Sequence, residues 1–346
     1  MGKINVAING FGRIGRSFFK VAKNNPDLNI VAINDLGDID NIAYLLKYDS
    51  VYGKSSFDVK VEKGSPTKLI VDGMEIAFLS EPDPERLPWG VLEIDIVVEA
   101  TGVFASYEKS RAHLKAGAKR VVVSAPVKDE PPEGIVGATV LMGVNEDKLQ
   151  TCDISSNASC TTNAGSPLMQ ILSESLGVEK AVLNTIHGYT ASQDLVDTPN
   201  KKPRRGRAAA VNIVPSTTGA AIATAQAITD LKGKFDGMAV RVPVVNGSLV
   251  DVTFVSKKET TVEEVNRILT EASGSDRWKR IFTVTNDPVV STDIIGDPHA
   301  SIADLSFTRV VGGNLVKVLS WYDNEMGYAH TLVNHVVKTG QFSKTP

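Results

Sequence analysis

The stretch Ile4-Asn5-Val6-Ala7-Ile8-Asn9-Gly10-Phe11-Gly12-Arg13-Ile14-Gly15 decides the fold. A short apolar run ends in three glycines spaced G-x-G-x-x-G, and Ile14, Phe18, Val21 and Ala22 then recur at helical spacing. A glycine triplet of this kind is informative only between a strand and a helix, and here it has both. Gly10 permits the tight turn, Gly12 lets the backbone approach a pyrophosphate, and Gly15 lets helix and strand pack closely. The anion then sits on the helix N-terminus. The next apolar run, Asn29–Asn34, leads into Asp35, 20 residues after Gly15. A carboxylate at that distance accepts from an adenosine ribose hydroxyl. Read alone, Asp35 is equally a cap or loop acid; the glycine loop decides for the ribose.

Two more runs, Ile94–Ala100 and Arg120–Ser124, end at Thr101-Gly102 and Ala125-Pro126, with a helical pattern over Tyr107–Ala118 between them. Strands alternating with helices predict a Rossmann-type doubly wound parallel sheet. Thr101 and Ser124 fall at strand ends, where they line a nicotinamide or serve as ordinary turn residues. Beyond residue 159 the pattern changes. Met238–Val245 and Ser248–Lys257 read as a hairpin around Asn246-Gly247, and Val311–Leu319 as a further strand that follows a glycine-containing turn. This predicts an α+β catalytic domain with a mainly antiparallel sheet. The expected organisation is a dinucleotide domain over 1–159 and a catalytic domain over 160–323. A C-terminal helix over 324–346 should pack back on the first domain. A long loop over 188–215 carries Lys201-Lys202-Pro203-Arg204-Arg205-Gly206-Arg207.

Composition narrows the function classes. The chain has 346 residues, 42% hydrophobic and 22% charged, with a net charge of −3 and two cysteines. That length predicts two domains. The charge gives no global attraction to nucleic acid or to an anionic membrane. No run of 18 apolar residues and no apolar leader is present, so no membrane partner is expected. Two cysteines make no disulfide framework, which suits a reducing, cytoplasmic setting. None of the five histidines has metal-ligand spacing, so no metal is expected. The basic run at 201–207 lacks interleaved aromatics; anion attraction near a site, or a subunit contact, explains it better than nucleic acid.

The chemistry concentrates at Ser156-Asn157-Ala158-Ser159-Cys160-Thr161-Thr162-Asn163. Leu168, Ile171, Leu172 and Leu176 place Cys160 at the mouth of a helix, with Ser159 as its cap. The macrodipole and unpaired N–H groups there favour a thiolate, so Cys160 is expected as a nucleophile of depressed pKa. Cys152 has no such setting and reads as a small buried hydrophobe. His187 ends the apolar run Ala181–Ile186 and precedes Gly-Tyr-Thr. It is either a strand-end base or a structural histidine; coupling to Cys160 would decide.

With Gly10–Gly15, Ser159–Asn163, His187–Thr190 and Trp321–Tyr328 in this order, the chain resembles the phosphorylating glyceraldehyde-3-phosphate dehydrogenase family. Tyr48–Gly53, Ser216–Ala221 and Arg241-Val242-Pro243 extend the likeness from end to end. The resemblance implies an NAD-dependent oxidoreductase acting on glyceraldehyde 3-phosphate and inorganic phosphate, usually as a homotetramer. It implies Cys160 as nucleophile and His187 as base and oxyanion donor. It gives Thr190 and Arg241 to the substrate phosphate, and Ser159, Thr161, Thr218 and Gly219 to the attacking phosphate. Arg13 and Ile14 resemble pyrophosphate contacts, and Asn324, with Tyr328 beside it, the residue that fixes the nicotinamide carboxamide. Arg241, lying among valines, is alternatively a structural ion-pair partner. The loop 188–215 resembles one that lies near a neighbouring subunit's cofactor. The family usually carries Asp in place of Ser192, Ser or Ala in place of Gly188, and Cys in place of Ala164. Residues 127–140 look longer than the usual connection, as in a surface insertion. The alternatives are an erythrose-4-phosphate dehydrogenase and a non-catalytic nucleotide-binding regulator.

Overall fold

The computed structural model describes residues 2–343, in two compact units. The first contains residues to Val140, Asn145–Ala158 and the chain from Leu332; the second contains Leu141–Val144 and Ser159–Thr331. Among the described residues no helix is long and apolar enough to cross a membrane.

In the first unit, β1 (Ile4–Asn9) runs through the glycine turn into α1 (Arg13–Ala22), then β2 (Leu28–Asn34) and α2 (Ile39–Lys47). A two-residue ladder, β3 (Tyr48–Asp49) with β4 (Gly53–Lys54), precedes β5 (Val59–Glu62), β6 (Lys68–Val71) and β7 (Met74–Leu79). Then come β8 (Ile96–Glu99), α3 (Tyr107–Lys115), β9 (Arg120–Val123), β10 (Gly137–Thr139) and β11 (Ile154–Ser156). One nine-stranded sheet results, in the order β10-β11-β9-β8-β1-β2-β7-β6-β5. The seven strands from β10 to β7 pair in parallel. Near-continuous apolar burial, as in Ile96-Val97-Val98, suits strands covered on both faces.

Two features of this unit lay outside the sequence reading. Strands β5, β6 and β7 form an antiparallel edge. Its tightest turn is Asp72-Gly73, both at positive φ, joining Val71 to Met74 as a two-residue hairpin loop. The stretch read as a surface insertion at 127–140 contributes to the sheet: its end forms the edge strand β10. Within it, the Asp129 carboxylate accepts from the Tyr107 and Glu108 N–H groups that open α3.

The second unit begins with α4 (Cys160–Leu176), followed by β12 (Val178–Gly188), β13 (Val214–Thr217) and α5 (Ala220–Ala227). β14 (Phe235–Val242), β15 (Ser248–Ser256), α6 (Val262–Ser273), β16 (Phe282–Thr285), β17 (Ser301–Val311) and β18 (Leu315–Tyr322) complete it. The sheet order is β13-β14-β12-β15-β18-β17-β16. Four of its six pairings are antiparallel; β12 with β14 and β16 with β17 are parallel. The expected hairpin at Asn246-Gly247 is absent, because β12 lies between β14 and β15. A hairpin does form at Gly312-Gly313, both at positive φ, inside the stretch read as one strand over 311–319. Helix α7 (Met326–Ser343) belongs to the second unit as far as Thr331 and to the first from Leu332. In the first unit, buried His335 on α7 bonds the Ser155 hydroxyl at 2.7 Å and Asn157 Oδ1 at 3.1 Å.

Candidate active site

Ser159, with extended φ and ψ, caps α4: its hydroxyl accepts from the Thr162 N–H at 3.1 Å. Cys160 is therefore the first helical residue, beside the positive end of a 17-residue helix. His187 comes from the C-terminal end of β12, with its Nε2 3.4 Å from Cys160 Sγ. Arg241 is its register partner on the parallel strand β14. The Arg241 Nη1 lies 2.5 Å from His187 Nδ1 and donates to the Gly188 carbonyl at 3.0 Å. Behind them, buried Tyr322 bonds Thr161 Oγ1 at 3.0 Å and Thr185 Oγ1 at 2.8 Å, tying the first turn of α4 to β12.

This geometry bears on several alternatives. His187 is coupled to the thiol. No carboxylate lies within salt-bridge distance of Arg241 among the described residues, and its buried Nε has no partner, so a structural ion pair does not account for it. A guanidinium lodged in a half-buried site without a counter-charge is suited to an anion. Gly188 is explained by space: a Cβ there would stand 2.8 Å from the Val244 carbonyl oxygen.

The thiol differs from expectation. Cys160 keeps partial solvent access, yet burial pushes its thiol up, against Arg241 and hydrogen bonds from Thr161 that pull it down. Burial, then Arg241, drives His187 down to about 3. The pair in this arrangement is a neutral thiol beside a neutral imidazole. His187 Nδ1 faces the acceptor Gly188 O at 2.6 Å as well as the donor Arg241. When Nδ1 carries the proton, Nε2 is free to take one from Sγ; in the other tautomer Nε2–H points at the sulfur and can donate. Buried Cys152 is pushed up as well, with no imidazole bonded to it.

A second polar group adjoins the first. The hydroxyls of Thr190 and Ser192 bond at 2.8 Å, and Arg205 Nη1 donates to Ser192 Oγ at 3.3 Å. Arg205 also holds the Ser216 hydroxyl and is near enough to depress both His187 and Arg241. Within the basic run at 201–207, this residue is the one tied to the cluster. Thr218 and Gly219 open α5, where the Thr218 hydroxyl accepts from the Ala220 N–H. No hydrogen bond among the described residues joins Thr218 or Gly219 to Cys160. Asn324 is buried, and its Oδ1 accepts from Ser248 Oγ at 2.8 Å. Tyr328 is buried at the start of α7.

In the first unit the glycines behave as their spacing requires. Gly10 has φ +92, and a Cβ there would lie 2.6 Å from Thr101 N; one on Gly15 would lie 2.2 Å from Gly10 O. A Cβ on Gly12 would meet nothing. Gly12 is the N-cap of α1 without a side-chain bond, and the first turn carries no acid, a helix start suited to an anion. Arg13 is held by Asp49 at 3.2 Å, and Ile14 is half-buried. Asp35 accepts from Phe11 N at 2.6 Å and Gly37 N at 2.8 Å, which fixes its carboxylate. A cavity of about 360 Å³ is lined by Gly10, Gly12, Asp35, Leu36, Pro82 and Thr101. Ser124 follows β9, its N–H bonded to the Glu99 carbonyl.

The residues behind this cavity escaped the sequence reading. Glu99, buried, accepts from Asn9 at 2.6 Å and Thr101 N at 2.8 Å, and lies 3.0 Å from His113 Nε2. His113 Nδ1 accepts from the Trp89 indole N–H at 3.0 Å. Asn9 and Asn34, joined at 2.7 Å, each end an apolar strand; a polar residue at both strand ends was the available signal. Among the described residues no group of three or more His, Cys, Asp or Glu could hold a metal.

Two family models match this chain. The NAD-binding domain of glyceraldehyde 3-phosphate dehydrogenase matches residues 4–107, and the C-terminal domain of the same enzyme matches 159–324. Among curated relatives, the glyceraldehyde-3-phosphate dehydrogenase of Thermotoga maritima is 51% identical over 332 residues, 95% of this chain and 97% of that one. That of Geobacillus stearothermophilus is 47% identical over 333 residues, 96% of each. That of Streptomyces coelicolor is 46% identical over 340 residues, 97% and 98%. The chain belongs to the glyceraldehyde-3-phosphate dehydrogenase family.

Proposed function

We propose that this chain oxidises D-glyceraldehyde 3-phosphate to 1,3-bisphosphoglycerate with NAD and inorganic phosphate, in glycolysis and gluconeogenesis. The observation that carries the reading is the contact cluster of Cys160, His187 and Arg241. The first unit suits NAD by its own geometry: an uncapped α1 N-terminus at Gly12, and a fixed carboxylate at Asp35. Gly10, Gly12, Arg13, Ile14 and Gly15 would hold the pyrophosphate, Asp35 the ribose, and Thr101, Ser124, Asn324 and Tyr328 the nicotinamide end. NAD, when bound, supplies the acceptor for the hydride that leaves the substrate carbon.

The remaining steps belong to the chain's residues. Cys160 Sγ adds to the aldehyde carbon as His187 Nε2 takes the thiol proton. The imidazolium returns that proton to the aldehyde oxygen, giving a hemithioacetal, and Nε2 takes it back from the hydroxyl as the carbon is oxidised to a thioester. A positioned base contributes on the order of a hundred- to ten-thousand-fold. Arg241 and Thr190, with Arg205 adjoining, hold the substrate phosphate. Ser159, Thr161, Thr218 and Gly219 receive the inorganic phosphate, whose oxygen attacks the thioester and releases Cys160. The thioester preserves the energy of oxidation until phosphate arrives.

We also read the chain as a cytoplasmic homotetramer. Leu195, Val211, Ile213 and Ile222 are large apolar residues left 59 to 80% exposed in the second unit, a pattern suited to subunit contacts. The test of function is cofactor reduction with glyceraldehyde 3-phosphate or erythrose 4-phosphate, with and without phosphate. Phosphate-dependent reduction with the three-carbon aldehyde is expected. Preference for the four-carbon aldehyde without phosphate dependence would replace this reading by the erythrose-4-phosphate one, and no reduction with either by a nucleotide-binding regulator.

A further inference from the structure

Ser248 opens β15, is 1% exposed, and touches two polar groups. Its Oγ accepts from the Gly188 N–H at 3.2 Å and lies 2.8 Å from Asn324 Oδ1. The Gly188 N–H only donates, so it takes one of the hydroxyl's lone pairs. The hydroxyl proton must then find an acceptor, and the acceptor within reach is Asn324 Oδ1. Were the amide reversed, the serine would accept twice and its buried proton would have no partner, which costs about tenfold or more in the population of that arrangement. The amide therefore stands one way round. Its Nδ2 makes no hydrogen bond within the chain among the described residues, and it is not enclosed. Gly188, which starts this relay, also accepts from Arg241 and adjoins His187, so Asn324 is registered to the catalytic strand through two hydrogen bonds.

We propose that Ser248 is a positioning residue for the cofactor: it locks the Asn324 amide so that a donor alone faces the nicotinamide. The inference rests on the reading of Asn324 as the residue that meets the carboxamide. It adds what that meeting selects. A fixed N–H donor recognises the carboxamide oxygen and not its NH2, so the carboxamide is held in one rotamer. An acceptor at the same place would select the opposite rotamer of the carboxamide.

The test compares NAD with its 3-acetylpyridine analogue, in which a methyl ketone keeps the oxygen and loses the NH2. The unmodified enzyme should bind both with KM values within about threefold, because only the oxygen is read. In Ser248→Ala the amide is free to turn. The KM for NAD should rise about tenfold, roughly the value of one oriented hydrogen bond. The analogue should lose more, since a turned Asn324 offers an oxygen that NAD's NH2 can use and a ketone cannot. Ser248→Thr should restore both values. The aldehyde KM and the rate of Cys160 alkylation should stay within twofold throughout. Ser248→Cys, which keeps the volume with a weaker donor, should fall between serine and alanine, and serves if the alanine variant folds poorly. An unchanged NAD-to-analogue ratio in both the alanine and cysteine variants would overturn the proposal. Asn324→Ala separates the two levels: if it leaves the NAD KM unchanged, the placement of Asn324 at the cofactor fails; if it raises that KM while Ser248→Ala and Ser248→Cys do not, the positioning role alone fails.

Discussion

Asp35→Asn is the sharpest test of how the first unit reads its cofactor. The Asp35 carboxylate is held by two N–H groups, Phe11 at 2.6 Å and Gly37 at 2.8 Å, so it cannot swing away from an approaching anion. A 2′-phosphate on the adenosine ribose would come within about 4 Å of it. Two like charges at that distance repel by about 1 kcal/mol in water and about 4 kcal/mol at an effective dielectric of 20. Asp35 is half-buried, which places the cost between these limits, at about 2 kcal/mol. Removing the charge should therefore raise kcat/KM with NADP relative to NAD about thirtyfold. Part of the change is a loss on the NAD side. Asparagine keeps one acceptor oxygen, so its NH2 must face either the Phe11 or the Gly37 N–H, and one bond to the ribose is lost with it. Exposed Leu36 lies beside Asp35 and offers a phosphate no donor. Adding Leu36→Ala, and Pro199→Ser in the 188–215 loop that resembles one near a neighbouring subunit's cofactor, should narrow the gap further. The assay is steady-state reduction of each cofactor at saturating aldehyde and phosphate. Equal efficiency with both cofactors in the unmodified enzyme, or a ratio moved less than twofold in the variant, would refute the placement of the ribose at Asp35.

Cys160→Ser should abolish acyl-enzyme formation, while Cys152→Ser should leave turnover nearly intact; equal losses would remove Cys160 from its role. Iodoacetamide near neutral pH should label Cys160 well before Cys152, and His187→Asn should slow that labelling because Nε2 no longer receives the proton at 3.4 Å. Ser192→Asp places a carboxylate where Arg205 now meets a hydroxyl at 3.3 Å, so it should change the KM for the phosphorylated aldehyde more than that for NAD; a change confined to NAD would count against it. His335 is held near 3 by burial, whereas an unfolded histidine titrates near 6.5, so the unfolded chain binds the extra proton as the pH falls between these values. Stability should drop there by about 1.4 kcal/mol per pH unit from this residue, and His335→Gln should flatten that slope in denaturant titrations.

Much of the site was legible because its parts are local. The glycine loop needs only a strand before and a helix after, and both lay within 20 residues. The Ser159 cap and the helical period from Leu168 placed Cys160 at its helix mouth. What escaped reading depended on charge in three dimensions. The sequence suggested a helix terminus pulling the thiol down, but it carried no measure of desolvation, and desolvation is the largest influence on Cys160. Arg205 was visible as one of several basic residues in a run. Only folding showed which of them turns onto Ser192 and Ser216. Glu99 and His113 were hidden for a related reason: an isolated acid and an isolated histidine, 14 residues apart, have no periodicity to announce a buried pair.

The misread hairpin is the most instructive case, because the same dipeptide logic succeeds elsewhere in the chain. Asp72 and Gly73 both take positive φ, as a two-residue hairpin turn requires, and they join strands that do pair. At Asn246-Gly247 only the glycine has positive φ. Asn246 is buried, and its side chain donates to Asp323 at 2.9 Å instead of closing a turn. Gly247 is required by crowding, since a Cβ there would stand 2.2 Å from the Ser291 carbonyl oxygen. Between β14 and β15 the connection crosses over β12, which enters the sheet from far earlier in the sequence. This insertion assembles the catalytic group. With β12 central, His187 stands in register with Arg241 on one side, while Ile186 pairs with Leu249 on the other and Gly188 reaches Ser248. Had β14 and β15 formed the hairpin that their sequences suggest, β12 could have paired with only one of them, and the strand of His187 could not have had both the guanidinium and the serine hydroxyl beside it. The non-local pairing that the turn signal concealed is therefore what brings base, anion-binding cation and amide relay to one end of one sheet.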